Sequence, residues 1–217
     1  MASATDPGVE RRKAAVSAFK RELIRDAAKR VFVEVGLHGA SVREIAKAAG
    51  YTTGAIYAQY ESKEEVYADI LRESLTDMAN AVERAAAAAP VGRKGAAALR
   101  AWFEFFRDRP AEYDLGFYLY GGAKPAGVGK ELNRELNVRL KRVYAAAADA
   151  LEADGLVKTA EKHEKAVAGA SWMFGVLLMM RTGRLRILSV DPEQLLDECL
   201  AVFYRGNEGA RPRRSRG

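Results

Sequence analysis

The sequence predicts an all-α fold of about nine helices, and two observations carry that prediction. Almost every segment repeats its apolar residues with the helical period of about 3.6 residues. Alternating β-branched runs joined by Asn-Gly or Asp-Gly turns, which mark β-hairpins, do not occur. A chain of 217 residues with 49% hydrophobic and 29% charged residues can also form a real core, which excludes global disorder.

The first helices are predicted from apolar stripes and capping patterns. Residues 18–35 carry their apolar side chains on one stripe, which predicts a helix that Gly36 closes. Ser41 and Glu44 have the spacing of a capping box, so a short helix is expected at residues 42–49, with Gly50 ending it.

Two more helices follow in this part of the chain. Thr52 can cap a second short helix that runs from residue 53 to about residue 60. Ser62 and Glu65 form another capping-box pattern, which opens a long helix from Lys63 toward the alanine-rich stretch before Pro90.

Five helices are predicted beyond Pro90, and the loop at 121–129 interrupts them. The longest uncharged run, residues 166–180, has 15 residues, which is short of the roughly 18 to 20 that cross a bilayer, so no membrane partner is expected. The five helices are expected near residues 99–106, 110–120, 132–151, 161–181 and 192–204.

The formal net charge of +6 is concentrated at the two ends of the chain. Lys/Arg and Asp/Glu number 10 and 6 in residues 1–60, 20 and 22 in residues 61–204, and 5 and 1 in residues 205–217. The amino-terminal surplus overlaps sequence that is predicted to be helical. A basic surface on a small amino-terminal unit is therefore expected.

From these patterns we predict four regions. A disordered tail is expected at residues 1–17 and a basic disordered tail at 206–217, with helical domains at 18–66 and 67–205 between them. A single cysteine, Cys199, excludes an internal disulfide framework, and no apolar segment of a secretory signal follows the start. Both observations favour a cytoplasmic protein.

Residues 41–60 have the pattern of a helix-turn-helix. Two short helices meet at a tight turn, and such a unit needs the helices before and after it to complete its core. In this motif the second helix is the one that enters the major groove of DNA. The positions spaced to pack inward are Ile45, Ala46, Ala49, Ile56 and Tyr60.

The residues around the second short helix suit a DNA surface. Thr52 and Thr53 can donate hydroxyl hydrogens to phosphates. Gly54 removes a Cβ that would hold the helix away from DNA, and Ala55 can touch a thymine methyl group. The phenol of Tyr57 can reach a phosphate from one turn further along.

Three longer polar side chains complete the candidate DNA contacts. Gln59 could pair with an adenine edge, and Arg43, near the start of the earlier helix, could reach guanine. Lys63 stands at the amino end of the long helix, where its ammonium group and the unpaired backbone N–H groups favour a phosphate.

The segment resembles the amino-terminal signature of the TetR/AcrR family of transcriptional regulators. The resemblance rests on Gly50-Tyr51-Thr52-Thr53-Gly54-Ala55-Ile56-Tyr57, then Tyr60, then Ser62-Lys63-Glu64-Glu65, and it covers about residues 20–80. Gln59 stands where His is usual in that family, and Tyr60 where Phe is usual. The resemblance implies that the following residues lie at or near DNA: Arg43, Thr52, Thr53, Gly54, Tyr57, Gln59 and Lys63.

The resemblance also implies how such a regulator works. It implies a homodimer joined through the carboxy-terminal helices, a palindromic double-stranded operator, and repression that a small-molecule effector releases. Gly169, Ala170 and Gly175 are expected to let the last two long helices approach closely at the subunit interface. No cofactor and no metal are predicted.

A ligand pocket is predicted in the central, aromatic-rich region. Aromatic residues fall there on more than one face of their helices, so some of them face something other than a single seam. A largely apolar cavity with a few phenols suits a hydrophobic or aromatic effector. The candidate pocket residues are Trp102, Phe103, Phe106, Tyr113, Phe117, Tyr120, Tyr144, Trp172 and Met173.

Two alternatives stay open. A constitutive DNA-binding regulator without a small-molecule ligand would share every motif in residues 41–63, and interdigitated aromatic residues in a closed centre would favour it over a sensor. A small all-helical enzyme is the other alternative. Against it, His38 and His163 are about 125 positions apart with no metal-spaced partner, and the lone cysteine has no assigned base.

Overall fold

All regular structure in the computed structural model is helical, and the model describes residues 7–117 and 128–208. No strand occurs within those two ranges, so the all-α prediction is confirmed. The ten helices in these ranges are α1 (Pro7–Gly39), α2 (Val42–Ala49), α3 (Thr53–Tyr57), α4 (Lys63–Ala88), α5 (Lys94–Asp108), α6 (Pro110–Gly116), α7 (Lys130–Ala153), α8 (Lys162–Arg181), α9 (Arg184–Ile187) and α10 (Pro192–Glu208).

One of these helices, α9, has no counterpart among the nine predicted. It is a single turn of four residues, which is too short to show a period. The aromatic helices after Pro90 and the two last long helices stand close to their predicted positions. Tyr120 and most of the predicted loop at 121–129 lie outside the described residues.

The predicted disordered tail at 1–17 is wrong for its described part, because α1 already begins at Pro7. Proline suits a helix start, since its missing N–H would be unpaired there, and Glu10 in the first turn suits the helix dipole. This stretch carries no apolar stripe because it packs on no core. At the other end, α10 continues to Glu208, three residues into the predicted basic tail at 206–217.

The described residues divide into two units. Unit 1 consists of the described parts of Met1–Ser74 and Ala111–Leu136, and unit 2 consists of those of Leu75–Pro110 and Asn137–Gly217. Unit 1 does not coincide with the predicted domain at 18–66, because it also includes α6 and the start of α7. The division into domains at residue 66 stays a prediction.

The core of unit 1 lies between α1, α2, α3 and α4. Phe32 and Tyr67 meet there edge to face, with ring centroids 4.9 Å apart. Four of the five inward positions predicted for the helix-turn-helix are confirmed, because Ile45, Ala46, Ile56 and Tyr60 are at most 2% exposed, whereas Ala49 is only half-buried. Burying side chains of this size contributes about 1.5 to 3 kcal/mol each.

The core of unit 2 is built around Trp102 of α5. This side chain is fully buried, and its ring meets Tyr144 and Phe174 edge to face at centroid distances of 4.8 and 5.8 Å. Gly169 allows α8 to approach α5, because a Cβ at this glycine would lie 3.1 Å from the side chain of Leu99. The glycine predicted for the subunit interface therefore serves packing inside one chain.

Candidate nucleic-acid interface

Capping bonds fix the start of α2. The side-chain oxygen of Ser41 accepts a hydrogen bond from the Glu44 N–H at 3.2 Å, and the Glu44 carboxylate accepts one from the Ser41 N–H at 2.8 Å. The predicted capping box is therefore confirmed. At the other end of α2, Gly50 has φ 70°, a left-handed conformation that glycine adopts without steric cost.

The second predicted capping box forms only in part. Ser62 caps α4, since its Oγ accepts a hydrogen bond from the Glu65 N–H at 3.2 Å. The Glu65 carboxylate, however, accepts its bond from the Glu61 N–H, one residue earlier than the pattern requires. The start of α4 is nevertheless satisfied, and it directly follows the helix-turn-helix.

An exposed row on α3 matches the predicted DNA surface. Thr53 and Gly54 are exposed, Tyr57 is 58% exposed, and Ile56 on the opposite face is buried. Thr52 caps this helix, because its Oγ1 accepts the Ala55 N–H at 3.2 Å. The hydroxyl hydrogen of Thr52 therefore stays available to a phosphate.

Neither the packing nor the backbone conformation of the chain requires glycine at position 54. A Cβ at this position would meet only Thr52 Oγ1, at 3.9 Å, which is an ordinary contact. The backbone φ of Gly54 is not positive, so the conformation does not require glycine either. Glycine within a helix costs about 1 kcal/mol relative to alanine. Its presence fits a surface outside the chain that approaches the α3 backbone closely.

Gln59 is held in place from two sides. Ser17 Oγ donates a hydrogen bond to Gln59 Oε1 at 2.9 Å, and Arg21 donates one to the Gln59 backbone carbonyl at 3.1 Å. The predicted pairing with an adenine edge would need the same Oε1 to accept a second hydrogen bond. Ser17 and Arg21 thereby attach α1 to the end of the helix-turn-helix.

Lys63 also has partners within the chain. Its ammonium group donates to the carbonyl oxygens of Ala40 at 2.8 Å and His38 at 3.3 Å. These carbonyls follow the kink of α1 at Gly36 and end that helix, where a positive charge is favourable. The third N–H of the ammonium group can still serve a phosphate.

The remaining two candidates differ in exposure. Arg43 is exposed in the first turn of α2, and no carboxylate within residues 7–117 or 128–208 pairs with it. Ala55 is half-buried behind the exposed row of α3. All eight candidate DNA residues thus lie in α2, at the N-cap of α3, in α3 or within six residues after α3.

A buried carboxylate stands behind this surface. Asp69 of α4 is 8% exposed and accepts hydrogen bonds from the Tyr60 hydroxyl at 2.7 Å, from Arg21 at 3.2 Å and from Arg25 at 3.4 Å. Arg72 also pairs with it. Burial raises the pKa of Asp69, but the hydrogen bond from Tyr60 and the charge of Arg21 outweigh it, so that the pKa lies below its ordinary value.

These pairs extend into what we call the Asp69 cluster. Arg25 also bonds Glu73 at 2.8 Å, and Lys29 lies 3.7 Å from Glu112 of α6. Tyr60 is part of the cluster, and both burial and its bond to Asp69 raise the pKa of its phenol. The members are Arg21, Arg25, Lys29, Tyr60, Asp69, Arg72, Glu73, Glu112 and Glu135.

The Asp69 cluster was not predicted from the sequence. Its signal is present, because Arg21, Arg25 and Lys29 recur every four residues on α1, and Asp69 and Glu73 do the same on α4. Residues four apart lie on one face of a helix, so two such rows of opposite charge can face each other.

The candidate pocket residues are divided between the two units. In unit 2, Trp102, Phe103 and Met173 are fully buried, Phe106 is 6% exposed and Tyr144 is half-buried. In unit 1, Tyr113 is buried and Phe117 is 42% exposed. Tyr120 lies outside the described residues.

Two features of unit 2 bear on ligand binding. The indole N–H of Trp102 is buried and has no hydrogen-bond acceptor among the described residues. Burial also raises the pKa of Tyr144, which packs on the same indole ring. Trp172 lies apart from this centre, with its ring 5.4 Å from that of Phe203.

An exposed apolar strip runs along α8 and α10, and we call it the α8–α10 strip. Trp172 is 39% exposed and Val202 is 54% exposed, and a Cβ on Gly175 would meet no atom within 4 Å. The exposed or half-buried apolar members of the strip are Trp172, Gly175, Leu195, Cys199 and Val202, the buried Val176 lies beneath them, and the polar Ser171 and Glu198 line the same surface. Such a surface is typical of a protein contact.

Two other kinds of feature are absent from the described residues. In the described ranges, no three side chains of His, Cys, Asp or Glu come together as a possible metal site. None of the helices there combines the length and apolar character that a membrane crossing requires.

Comparison with protein families gives two matches along the chain. A family described as bacterial regulatory proteins of the tetR family matches residues 24–70, which include α2 and α3. A family described as the tetracyclin repressor-like C-terminal domain matches residues 96–203.

Individual relatives match only part of the chain. The chain is 41% identical over 59 residues to the HTH-type transcriptional repressor KstR2 of Rhodococcus jostii, which is 27% of this chain and 29% of that protein. It is 33% identical over 92 residues to the HTH-type transcriptional activator FasR of Mycolicibacterium smegmatis, which is 42% of each chain. The matches thus span less than half of either relative.

Solved structures are similar over most of the chain. A bacterial regulatory protein in the tetR family from Rhodococcus RHA1 has a TM-score of 0.68 at 20% identity, covering 86% of this chain and 95% of that one. The transcriptional regulator FadR from Bacillus subtilis, solved in complex with stearoyl-CoA, has a TM-score of 0.66 at 20% identity, covering 84% and 96%. At these identities the likeness concerns the fold.

Proposed function

The chain belongs to the TetR/AcrR family of transcriptional regulators, and we propose on that basis that it binds an operator through α2 and α3 and controls transcription. The α3 surface supports this proposal most directly. Its exposed residues are small or hydroxylated, and Gly54 has no side chain although the surrounding residues leave room for one. A helix of this kind can lie deep in a major groove.

The test is a substitution that adds one methyl group to the proposed DNA surface. Gly54→Ala should lower operator affinity at least about tenfold, because the new Cβ stands between α3 and the base edges. The free energy of unfolding should stay equal or rise by about 0.5 to 1 kcal/mol, since alanine favours a helix. Fluorescence anisotropy with an operator selected from random DNA measures the affinity, and urea unfolding measures the stability.

Gly116→Ala is the matched control. Gly116 is also a helical glycine, and a Cβ there would meet no atom within 4 Å. This control should leave operator affinity unchanged. Full affinity of Gly54→Ala for the operator would show that α3 is not the helix that approaches DNA.

The regulator is further proposed to act as a homodimer joined through the α8–α10 strip. An isologous contact of two such strips would bury the exposed parts of Trp172 and Val202. Two-fold symmetry then requires a palindromic operator with half-sites about one helical turn apart, or a little more. The cytoplasm is the proposed compartment.

A charge placed on the strip tests the dimer. Val202→Glu should shift the protein from dimer to monomer in sedimentation equilibrium, because a carboxylate would be buried without a partner. Val138→Glu places the same charge on α7, at a valine that is 65% exposed outside the strip, and should leave the dimer intact. If the DNA sites selected from random sequence lacked two-fold symmetry, binding as a dimer would also be contradicted.

A hydrophobic or aromatic effector is proposed to release the operator. The buried indole N–H of Trp102 supports a ligand that brings a hydrogen-bond acceptor, because leaving such a donor unpaired costs about 1 to 3 kcal/mol. α4 is one continuous helix that starts three residues after the buried Tyr60, so a ligand-induced shift of this helix would move α3. Since FadR was solved with stearoyl-CoA, acyl-CoA thioesters are the first ligands to test.

The constitutive alternative has an observation of its own. Trp102, Tyr144 and Phe174 are interdigitated, which is the packing expected when no ligand enters. Titration of operator-bound protein with stearoyl-CoA, free fatty acids and aromatic compounds distinguishes effector-controlled binding from constitutive binding. Release of the operator, with a change in tryptophan fluorescence that Trp102→Phe removes, supports the effector. Unchanged operator affinity across the panel supports constitutive binding.

The direction of regulation is proposed to be repression. One of the two relatives described above is a repressor and the other an activator, so a direct measurement is needed. A reporter gene placed behind the selected operator should be expressed less when the protein is present. Higher expression would identify an activator.

A further inference from the structure

The first turns of α1 extend beyond the part of the helix that packs on unit 1. Ser17 is where α1 bonds to Gln59, and the buried residues of α1 begin only at Ile24. We call residues 7–16 the α1 overhang. Ten helical residues extend about 15 Å, so the overhang is a rod of this length projecting past the end of the helix-turn-helix.

The cations of α1 fall into two groups. Arg21, Arg25 and Lys29 pair with the carboxylates of the Asp69 cluster. Arg12 and Lys20, by contrast, are exposed and have no carboxylate partner within the part of the chain that the structure describes. Lys13 has only Glu10, at 3.7 Å on the exposed surface, where a pair of this kind contributes little.

The second group leaves a strong local surplus of positive charge. Residues 7–20 contain four Lys/Arg and one Glu, which gives a net charge of 4 − 1 = +3. No buried apolar residue of this stretch holds the helix to a core. This surplus of positive charge can therefore bind a negatively charged partner outside the chain.

The unpaired cations share a groove with the end of the helix-turn-helix. Arg12, Lys13 and Lys20 line this groove, which has a volume of about 370 Å³ and continues to Gln59. Gln59 is two residues from the exposed Tyr57 of the proposed DNA surface. Together these positions place the cations on the side of α1 that faces the end of α3.

We propose that the α1 overhang, together with Lys20 just after it on the same helix, is a second DNA contact, in which Arg12, Lys13 and Lys20 bind phosphates flanking the half-site that α3 reads. This inference rests on the proposed function. DNA is the partner that the charge favours, because its phosphates continue along the same duplex at one negative charge per roughly 1.7 Å of axis. The overhang matches about four to five base pairs in length. Phosphate contacts add affinity without adding sequence preference.

Two operator duplexes test this contact. One contains only the selected operator, and the other adds about ten base pairs of unrelated sequence at each end. The wild type should bind the longer duplex at least about tenfold more tightly. The triple variant R12A/K13A/K20A should lose this gain and should bind the short duplex with nearly wild-type affinity. Alanine preserves helix propensity, and circular dichroism checks that the helix content is unchanged.

Salt dependence gives an independent readout. Loss of three phosphate contacts should reduce the slope of log affinity against log salt by about 2.7 for each protomer on the longer duplex. The triple variant K141A/K158A/K165A removes the same charge from exposed positions of unit 2 and should keep both the length effect and the slope.

Failure of the overhang contact can be distinguished from failure of the proposed function. If the wild type binds both duplexes equally and R12A/K13A/K20A leaves the slope unchanged, while Gly54→Ala still lowers operator affinity, the overhang does not contact DNA although the proposed function holds. An overhang that serves an acidic protein or an anionic membrane would give that same result. If the wild type selects no DNA at all, the proposed function fails and the overhang contact fails with it.

Discussion

Behind α3, the helices of unit 1 are joined through a buried carboxylate, whereas the centre of unit 2 is built from aromatic rings. Asp69 is bonded by Tyr60 and paired with three arginines, and Trp102 is enclosed by Tyr144 and Phe174. Charge pairs and hydrogen bonds are directional, so they fix an orientation, while ring packing depends mainly on filled volume. The unit that must present α3 to DNA is thus the one with directional bonds directly behind α3.

The largest effect is expected in the aromatic core. Trp102→Ala should lower the free energy of unfolding by about 3 to 5 kcal/mol, because it leaves a large cavity in a fully buried place. Urea unfolding followed by circular dichroism measures this loss. Trp102→Phe retains most of the apolar volume and should cost clearly less. Equal losses for both variants would mean that volume does not decide the stability of unit 2.

The next largest effect is expected in the Asp69 cluster. Asp69→Asn should lower the free energy of unfolding by about 3 kcal/mol, because Arg21, Arg25 and Arg72 then lose the charge that compensates them. The substitution keeps the size of the side chain, so the loss reports charge rather than volume. A loss below about 1 kcal/mol would mean that water already compensates these arginines.

The same carboxylate predicts a dependence on pH. Because the folded pKa of Asp69 is lowered, its contribution to stability is fully present above the ordinary aspartate pKa of 3.8 and is lost as the pH falls through the lower folded value. The difference in unfolding free energy between wild type and Asp69→Asn should therefore shrink below about pH 4. Urea midpoints of both proteins between pH 6 and pH 3 measure it. A difference that grows in acid would contradict the lowered pKa.

A smaller effect is expected for the hydroxyl of Tyr60. Tyr60→Phe removes one hydrogen bond to Asp69, of 2.7 Å, and keeps the buried ring, so the loss should be about 1 to 2 kcal/mol. Phenylalanine is also the residue usual at this position in the family. Combining Tyr60→Phe with Asp69→Asn should give less than the sum of the two losses, because both changes remove the same bond.

The smallest effect is expected at the surface of unit 2. Arg142 bonds Glu83 at 2.9 and 2.7 Å, but both side chains are more than two-fifths exposed. Water and salt screen such a pair, so Arg142→Ala should leave the urea midpoint unchanged within error. A measurable shift there would show that charge pairs stabilise both units and would weaken the contrast between them.

Local patterns predicted much of the fold and of the proposed DNA surface. The Ser41–Glu44 capping box, the end of α2 at Gly50 and the burial of Ile45 and Ile56 follow from residues close together in the chain, and all are confirmed. The start of α1 was missed because a solvated helix shows no apolar stripe.

Partners distant in the sequence were not predictable in the same way. Ser17 bonds Gln59 across 42 residues, and Lys63 bonds Ala40 across 23. Each polar side chain has many possible partners, and only the packing of the helices decides among them. For this reason the sequence indicates which residues form the exposed surface of α3 more reliably than it indicates what holds those residues in place.

The two hydrogen bonds of Lys63 have a consequence for the entropy of binding. A solvated lysine samples many rotamers, and ordering such a side chain at an interface costs about 0.5 to 1.5 kcal/mol. In this protein the ammonium group is already anchored on the carbonyls of His38 and Ala40. A phosphate that reaches Lys63 therefore meets a preorganised donor, whose ordering cost was met when the chain folded.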